Sequence, residues 1–117
     1  MSSYIDDNST GIDTLTIGNN VALGSVYLYG GADILTVGTY FTSTGHIFGG
    51  SGNDTFTFGT NMLQTSANIY LDEGDDSLSI GLNSSVGTII AGSGGDTVLI
   101  GNNSDFNGYT DENTSTG

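Results

Sequence analysis

The chain has 117 residues, of which 13 are acidic and none is Lys, Arg or Cys, giving a formal net charge of −13. Nothing in it can neutralise phosphate, so nucleic acid and anionic membrane surfaces are poor partners, and no disulfide can staple the fold. Its carboxylates must face water, accept hydrogen bonds or bind metal ions.

Twenty glycines and no proline point to many tight turns of positive φ. No run of about 18 apolar residues is present, so no membrane-spanning helix is expected. The opening residues Met1 to Asp7 have neither a basic region nor an apolar stretch, so they are not expected to act as a Sec-type leader. Residues 1–10 are expected to be irregular. From Gly11 a repeat begins, marked by Asp13, Asp33, Asp54, Asp76 and Asp96, which lie 20, 21, 22 and 20 residues apart. A period of this length implies a solenoid.

After each of these aspartates a strand follows by strict alternation. Leu15, Leu35, Phe56, Leu78 and Val98 share one parity with Ile17, Val37, Phe58, Ile80 and Ile100, and the residues between are Thr or Ser except Ile34 and Leu99. Period 2 with β-branched residues marks a half-buried strand. A second strand precedes each turn, its inward column reading Val26, Ile47, Ile69 and Ile89, and the next reading Tyr27, Phe48, Tyr70 and Ile90. Connections of six to eight polar residues, such as Asn19 to Gly24 or Thr60 to Ala67, return the chain and absorb the length variation. The expected fold is all-β, a parallel β-solenoid (β-roll) of about five rungs. It has two short strands per rung and no helices, spans 11–108, and is followed by a polar tail at 109–117.

In the third repeat, Gly49-Gly50-Ser51-Gly52-Asn53-Asp54-Thr55-Phe56-Thr57 fits the nonapeptide pattern G-G-x-G-x-D-x-U-x at every defined position. Here the chain resembles the hemolysin-type (RTX) calcium-binding repeats of secreted bacterial proteins. In that family the fold is a parallel β-roll, with calcium between successive turns on glycine-loop carbonyls and Asp carboxylates. The resemblance covers residues 9 to 101, with one full match. The last repeat has Ala91 in place of the first glycine, the second offers Gly30-Gly31-Ala32-Asp33, and the fourth, Asp72-Glu73-Gly74-Asp75-Asp76, replaces glycines with acids. The opposite corners carry Asn, Thr and Ser, so one row of ions is implied, not two. Carried onto matching positions, the resemblance implies Ca2+ ligands at Asp13, Asp33, Gly50, Gly52, Asp54, Gly74, Asp76, Gly92, Gly94 and Asp96, to which the acidic fourth turn adds Asp72.

Electrostatics lead to the same expectation without the family. Equivalent side chains in a solenoid lie about 4.8 Å apart, and at an effective dielectric of 20 each neighbouring pair of carboxylates costs about 3 kcal/mol. A hard cation with oxygen ligands relieves this where no Lys or Arg can. The competing reading is an Asp used for turn-forming hydrogen bonds.

Three further features stand out. Thr14, Thr55 and Thr97, with Thr16, Thr36 and Thr57, form an outward array that suits either an exposed strand or an ice-binding face. The column Tyr27, Phe48, Tyr70, Ile90 is a lateral contact or ordinary cross-strand stacking. His46, the single histidine, reads as a surface residue, with no Cys or second His to make a transition-metal site and no basis for a catalytic triad.

The expected function is a non-enzymatic, extracellular or cell-surface, calcium-binding structural protein. Without capping elements, rungs of separate copies are expected to stack head-to-tail into filaments or a biofilm matrix. Export is expected by type I or another non-classical route. The alternative is an ice-binding or adhesive module of an RTX-type surface adhesin.

Overall fold

The structure, a computed structural model, describes residues 4–5, 14–64 and 68–111, with side chains over 14–64 and 68–105. Its strands in chain order are β1 (Tyr4–Ile5), β2 (Thr14–Ile17), β3 (Ala22–Leu23), β4 (Val26–Tyr27), β5 (Ile34–Val37), β6 (Thr42–Ser43) and β7 (Ile47–Phe48). There follow β8 (Thr55–Phe58), β9 (Leu63–Gln64), β10 (Asn68–Tyr70), β11 (Ser77–Ile80), β12 (Ser85–Gly92), β13 (Thr97–Ile100) and β14 (Asp105–Asp111). Among the described residues there is no helix. Every pairing is parallel, as a solenoid demands.

The strands that follow the Asp turns stack as one five-stranded sheet, in the order β13-β11-β8-β5-β2. The strands before the turns, β1, β4, β7 and β10, pair in a second sheet. The expected polar return segments hold a third short strand each, β3, β6 and β9, which stack on one another. These two-residue strands carry no periodicity of their own; the ladder above and below imposes them. In β12 the return strand and the pre-turn strand fuse, so that β12 pairs with both β9 and β10. The ladder also runs beyond the expected limits: Tyr4–Ile5 already pairs with β4, and β14 continues to Asp111.

Alternation has the physical effect read from the sequence. Leu35, Phe56 and Leu78, with Val37, Phe58 and Ile80, are buried against Val26, Ile47, Ile69 and Ile89. Phe41 and Met62 fill the far corner, Phe41 lying 6.0 Å from Phe58 between ring centroids. This single apolar column between the sheets is the principal source of stability. The far corner also has its own order. Asn20, Tyr40, Asn61, Asn83 and Asn103 all take left-handed φ of 58–61°, and the N–H groups of the first four each donate to a carbonyl of the next rung at 2.9–3.1 Å. Beside them Ser84 is buried. Its Oγ accepts from the Met62 N–H at 3.1 Å, and its own N–H donates to Ser104 Oγ at 3.0 Å.

On the outer side of the second sheet, Tyr27, Phe48 and Tyr70 stack at 4.9 and 4.8 Å with rings within 7° of parallel. The column is therefore cross-strand stacking, half-buried. His46 is less exposed than the surface residue expected. It is half-buried, lies edge-on to Phe48 and Tyr70, and its Nδ1 accepts from the Asn68 N–H at 2.9 Å.

Candidate metal centre

Each Asp turn runs from a buried position, Leu28, Gly49, Leu71 or Ala91, to the aspartate five residues on. One column within it is Gly31, Gly52, Gly74 and Gly94, with φ of 105–125°. A Cβ on Gly52, Gly74 or Gly94 would run into the carbonyl of the glycine one rung before it. Glycine is thus required twice, for backbone angle and for close approach. The column two residues earlier holds Gly50 and Gly92 at φ 86° and 82°, and Tyr29 and Asp72 at 65° and 67°. The stack imposes this conformation on Tyr29 and Asp72, at a cost of about 1–2 kcal/mol each.

The aspartates turn inward. Asp33, Asp54 and Asp76 are buried, the last two only 1% exposed, and Asp96 is half-buried. The carboxylates of Asp54, Asp76 and Asp96 each reach back one rung. Asp54 Oδ1 accepts from the Asp33 N–H at 2.9 Å, Asp76 Oδ1 from the Asp54 N–H at 2.7 Å, and Asp96 Oδ1 from the Asp76 N–H at 2.9 Å. A second ladder runs the other way on the outside. Asn53 Oδ1 accepts from the Asp75 N–H at 2.7 Å, and Asp75 Oδ1 from the Gly95 N–H at 2.8 Å. Asp72 belongs to neither: its Oδ2 accepts from the Gly50 N–H at 3.2 Å, at the rim.

At Asp54 and Asp76 the inner ladder uses only one oxygen of the carboxylate. Oδ2 of Asp54 and Oδ2 of Asp76 are buried and have no hydrogen-bond partner. Around Asp54 the surroundings show what such an oxygen faces. A Cβ placed on Gly49 would lie 2.7 Å from Asp54 Oδ2 and 3.0 Å from the Leu71 carbonyl oxygen. With the Phe56 ring 3.2 Å away as well, two oxygens and a ring edge close over the position that a side chain takes at Leu28, Leu71 and Ala91, so only glycine fits here.

Burial makes the ionised form costly. Desolvation pushes Asp54 up from 3.8 to about 8; the Asp33 N–H opposes the shift, and the charges of Asp76, Asp33 and Asp72 add to it. Asp76 rises to about 7, again through burial first, eased by the Asp54 N–H and worsened by Asp96, Asp72 and Asp75. Asp72 is raised by burial and by Glu73, against the Gly50 N–H. Asp54 and Asp76 therefore hold protons more tightly than ordinary carboxylates do.

Of the residues expected to hold calcium, Asp33, Asp54, Asp76 and Asp96 form one interior column. Gly52, Gly74 and Gly94 form the adjoining backbone column, and Gly50, Gly92 and Asp72 another. Asp13 lies outside the described residues. Among the described residues no three of His, Cys, Asp or Glu come together as a ligand group, so a cation in the column would take its other ligands from backbone carbonyls. Sequence reasoning read Gly49 and Asn53 as part of the nonapeptide without giving either a role of its own, and it did not single out Ser84. The signal for Gly49 was its place as the one glycine in the column Leu28, Gly49, Leu71, Ala91. Comparison with protein-family models, curated proteins and solved structures returned no match.

Proposed function

We propose that this protein is a non-enzymatic structural β-solenoid that binds Ca2+ within its aspartate turn column and self-associates outside the cell. The observation that carries the reading is the pair of buried oxygens without hydrogen-bond partners, Asp54 Oδ2 and Asp76 Oδ2. Leaving such acceptors unmet costs about 1–3 kcal/mol each, more when charged. A hard cation with oxygen ligands satisfies them and cancels the repulsion between rungs. Asp54 and Asp76 would supply carboxylate oxygens, and the Leu71 carbonyl beside Gly49 a backbone one. The bound ion would lock adjacent turns together, so that ordering of the rungs is coupled to calcium.

End-to-end stacking fits the same architecture. β2 and β13 are the outer strands of the five-stranded sheet, and Val98 and Ile100 in β13 are only half-buried where their counterparts Leu78 and Ile80 are buried. A second copy would continue the ladder and cover them. Millimolar calcium outside cells suits an export route and a surface or matrix location.

Calorimetric titration with CaCl2 after chelation, together with thermal melts in calcium and in EDTA, tests the metal. Heat of binding and a raised Tm are expected, both weakened in Asp54→Asn and Asp76→Asn. The absence of heat and of any Tm shift at millimolar calcium would remove the reading. Light scattering in the same samples tests self-association.

A further inference from the structure

A different surface carries a second binding activity. We propose that the outer face of the five-stranded sheet binds the ordered water layer of ice.

The face is a two-column lattice. Parallel pairing places Thr14, Thr55 and Thr97 in one column and Thr16, Thr36 and Thr57 in the other, all in register from rung to rung. All six are exposed, while the alternate residues of these strands point inward and pack. Ser77 and Ser79 continue the hydroxyl rows in β11. Only Ile34 and Leu99, 42% and 63% exposed, interrupt them, and they stand in different columns three rungs apart.

The repeats are fixed by the fold, about 4.8 Å between strands and about 6.6 Å between alternate residues along a strand. A β-branched threonine has a stiff χ1, so its hydroxyl and methyl hold fixed places. Rows of hydroxyls anchor water at these repeats, and the methyls between them leave no competing site. Among the described residues no acidic residue lies on this face; the carboxylates sit at the Asp turns and, from Asp105 on, in β14 of the other sheet. An ionised group would orient water radially around itself, and its absence in a chain of net charge −13 leaves this side neutral.

Other occupants fit less well. A protein partner is anchored chiefly by clustered aromatic or Arg side chains, and this face has none. A sugar chain stacks on exposed ring faces, but Tyr27, Phe48 and Tyr70 lie on the other sheet with their faces covered by one another. A rigid periodic array of small neutral groups matches a periodic neutral ligand.

The test is thermal hysteresis and ice-crystal shaping, in whichever buffer gives the β-sheet circular dichroism of the folded chain, with or without calcium. This keeps the result separate from the metal reading. The wild-type chain is expected to open a hysteresis gap and facet ice crystals. Thr57→Tyr, at the centre of the face, is expected to lose most of that activity with its spectrum unchanged. Ser85→Tyr, exposed on the other sheet, is expected to keep it. No gap in the folded wild type, full activity in Thr57→Tyr, or equal loss in Ser85→Tyr would each overturn the proposal.

Discussion

Asp76 Oδ1 accepts a 2.7 Å hydrogen bond from the backbone N–H of Asp54, and Asp54 in turn accepts one from Asp33. Each carboxylate therefore serves as the acceptor for the rung before it, while its second oxygen carries the desolvation that raises its proton affinity. This division of labour makes stability depend on pH in an unusual direction.

In chelator, the folded pKa values of about 8 for Asp54 and about 7 for Asp76 lie above the ordinary 3.8. Groups raised on folding favour the folded state below their unfolded pKa, and that advantage is lost as pH rises through the folded value. The metal-free protein is expected to be most stable near pH 4 and to lose several kcal/mol by pH 8. Thermal melts in EDTA across this range check it; a Tm that rises with pH would contradict the assignment.

Substitution at Asp54 separates acceptor from charge. Asp54→Asn keeps an oxygen for the Asp33 N–H and removes the cost of protonating or charging a buried carboxyl, so at pH 7–8 in chelator it should be at least as stable as wild type. Asp54→Ala removes the acceptor and should be less stable than Asp54→Asn by about 1–3 kcal/mol. Urea denaturation of the two variants measures the difference.

Gly52→Ala should be among the most damaging single-methyl changes. Its φ is 109°, and the new Cβ would meet the Gly31 carbonyl. Gly18→Ala is the matched control, because nothing lies within 4 Å of a Cβ there. The control should be neutral or slightly stabilising, and far-ultraviolet circular dichroism with melts distinguishes the pair.

Ser84→Ala should cost about 1–3 kcal/mol, since it leaves the N–H of buried Met62 without its acceptor. Hydrogen exchange should locate the loss at Met62 and its neighbours; unchanged protection there would show that the far corner does not rely on this side chain.

The strands after each Asp were legible because Leu35, Phe56 and Leu78 alternate with exposed Thr, Ser and Ile34, and alternation is a direct projection of the pleat. The turn column was legible from glycine, where backbone shape restricts residue type. The same logic fails at Tyr29 and Asp72: their left-handed angles come from stacking against Gly50 and Gly92, not from their own side chains. Thr42–Ser43 and Leu63–Gln64 read as polar loop because Ser43 and Gln64 are buried for their hydrogen bonds, which composition does not reveal. The inward direction of the aspartates was hidden for a similar reason. An acidic residue beside glycines looks solvent-bound until a backbone N–H one turn away is seen to need it.

The two turn ladders give faults in this molecule a direction. Removing an inner carboxylate loosens the turn before it, through the N–H it held. Removing Asn53 or Asp75 loosens the turn after it. An alanine scan along the turns would show two overlapping series of weakened amides, displaced in opposite senses. The forward series halts at Gly95, which has no side chain with which to pass the brace on.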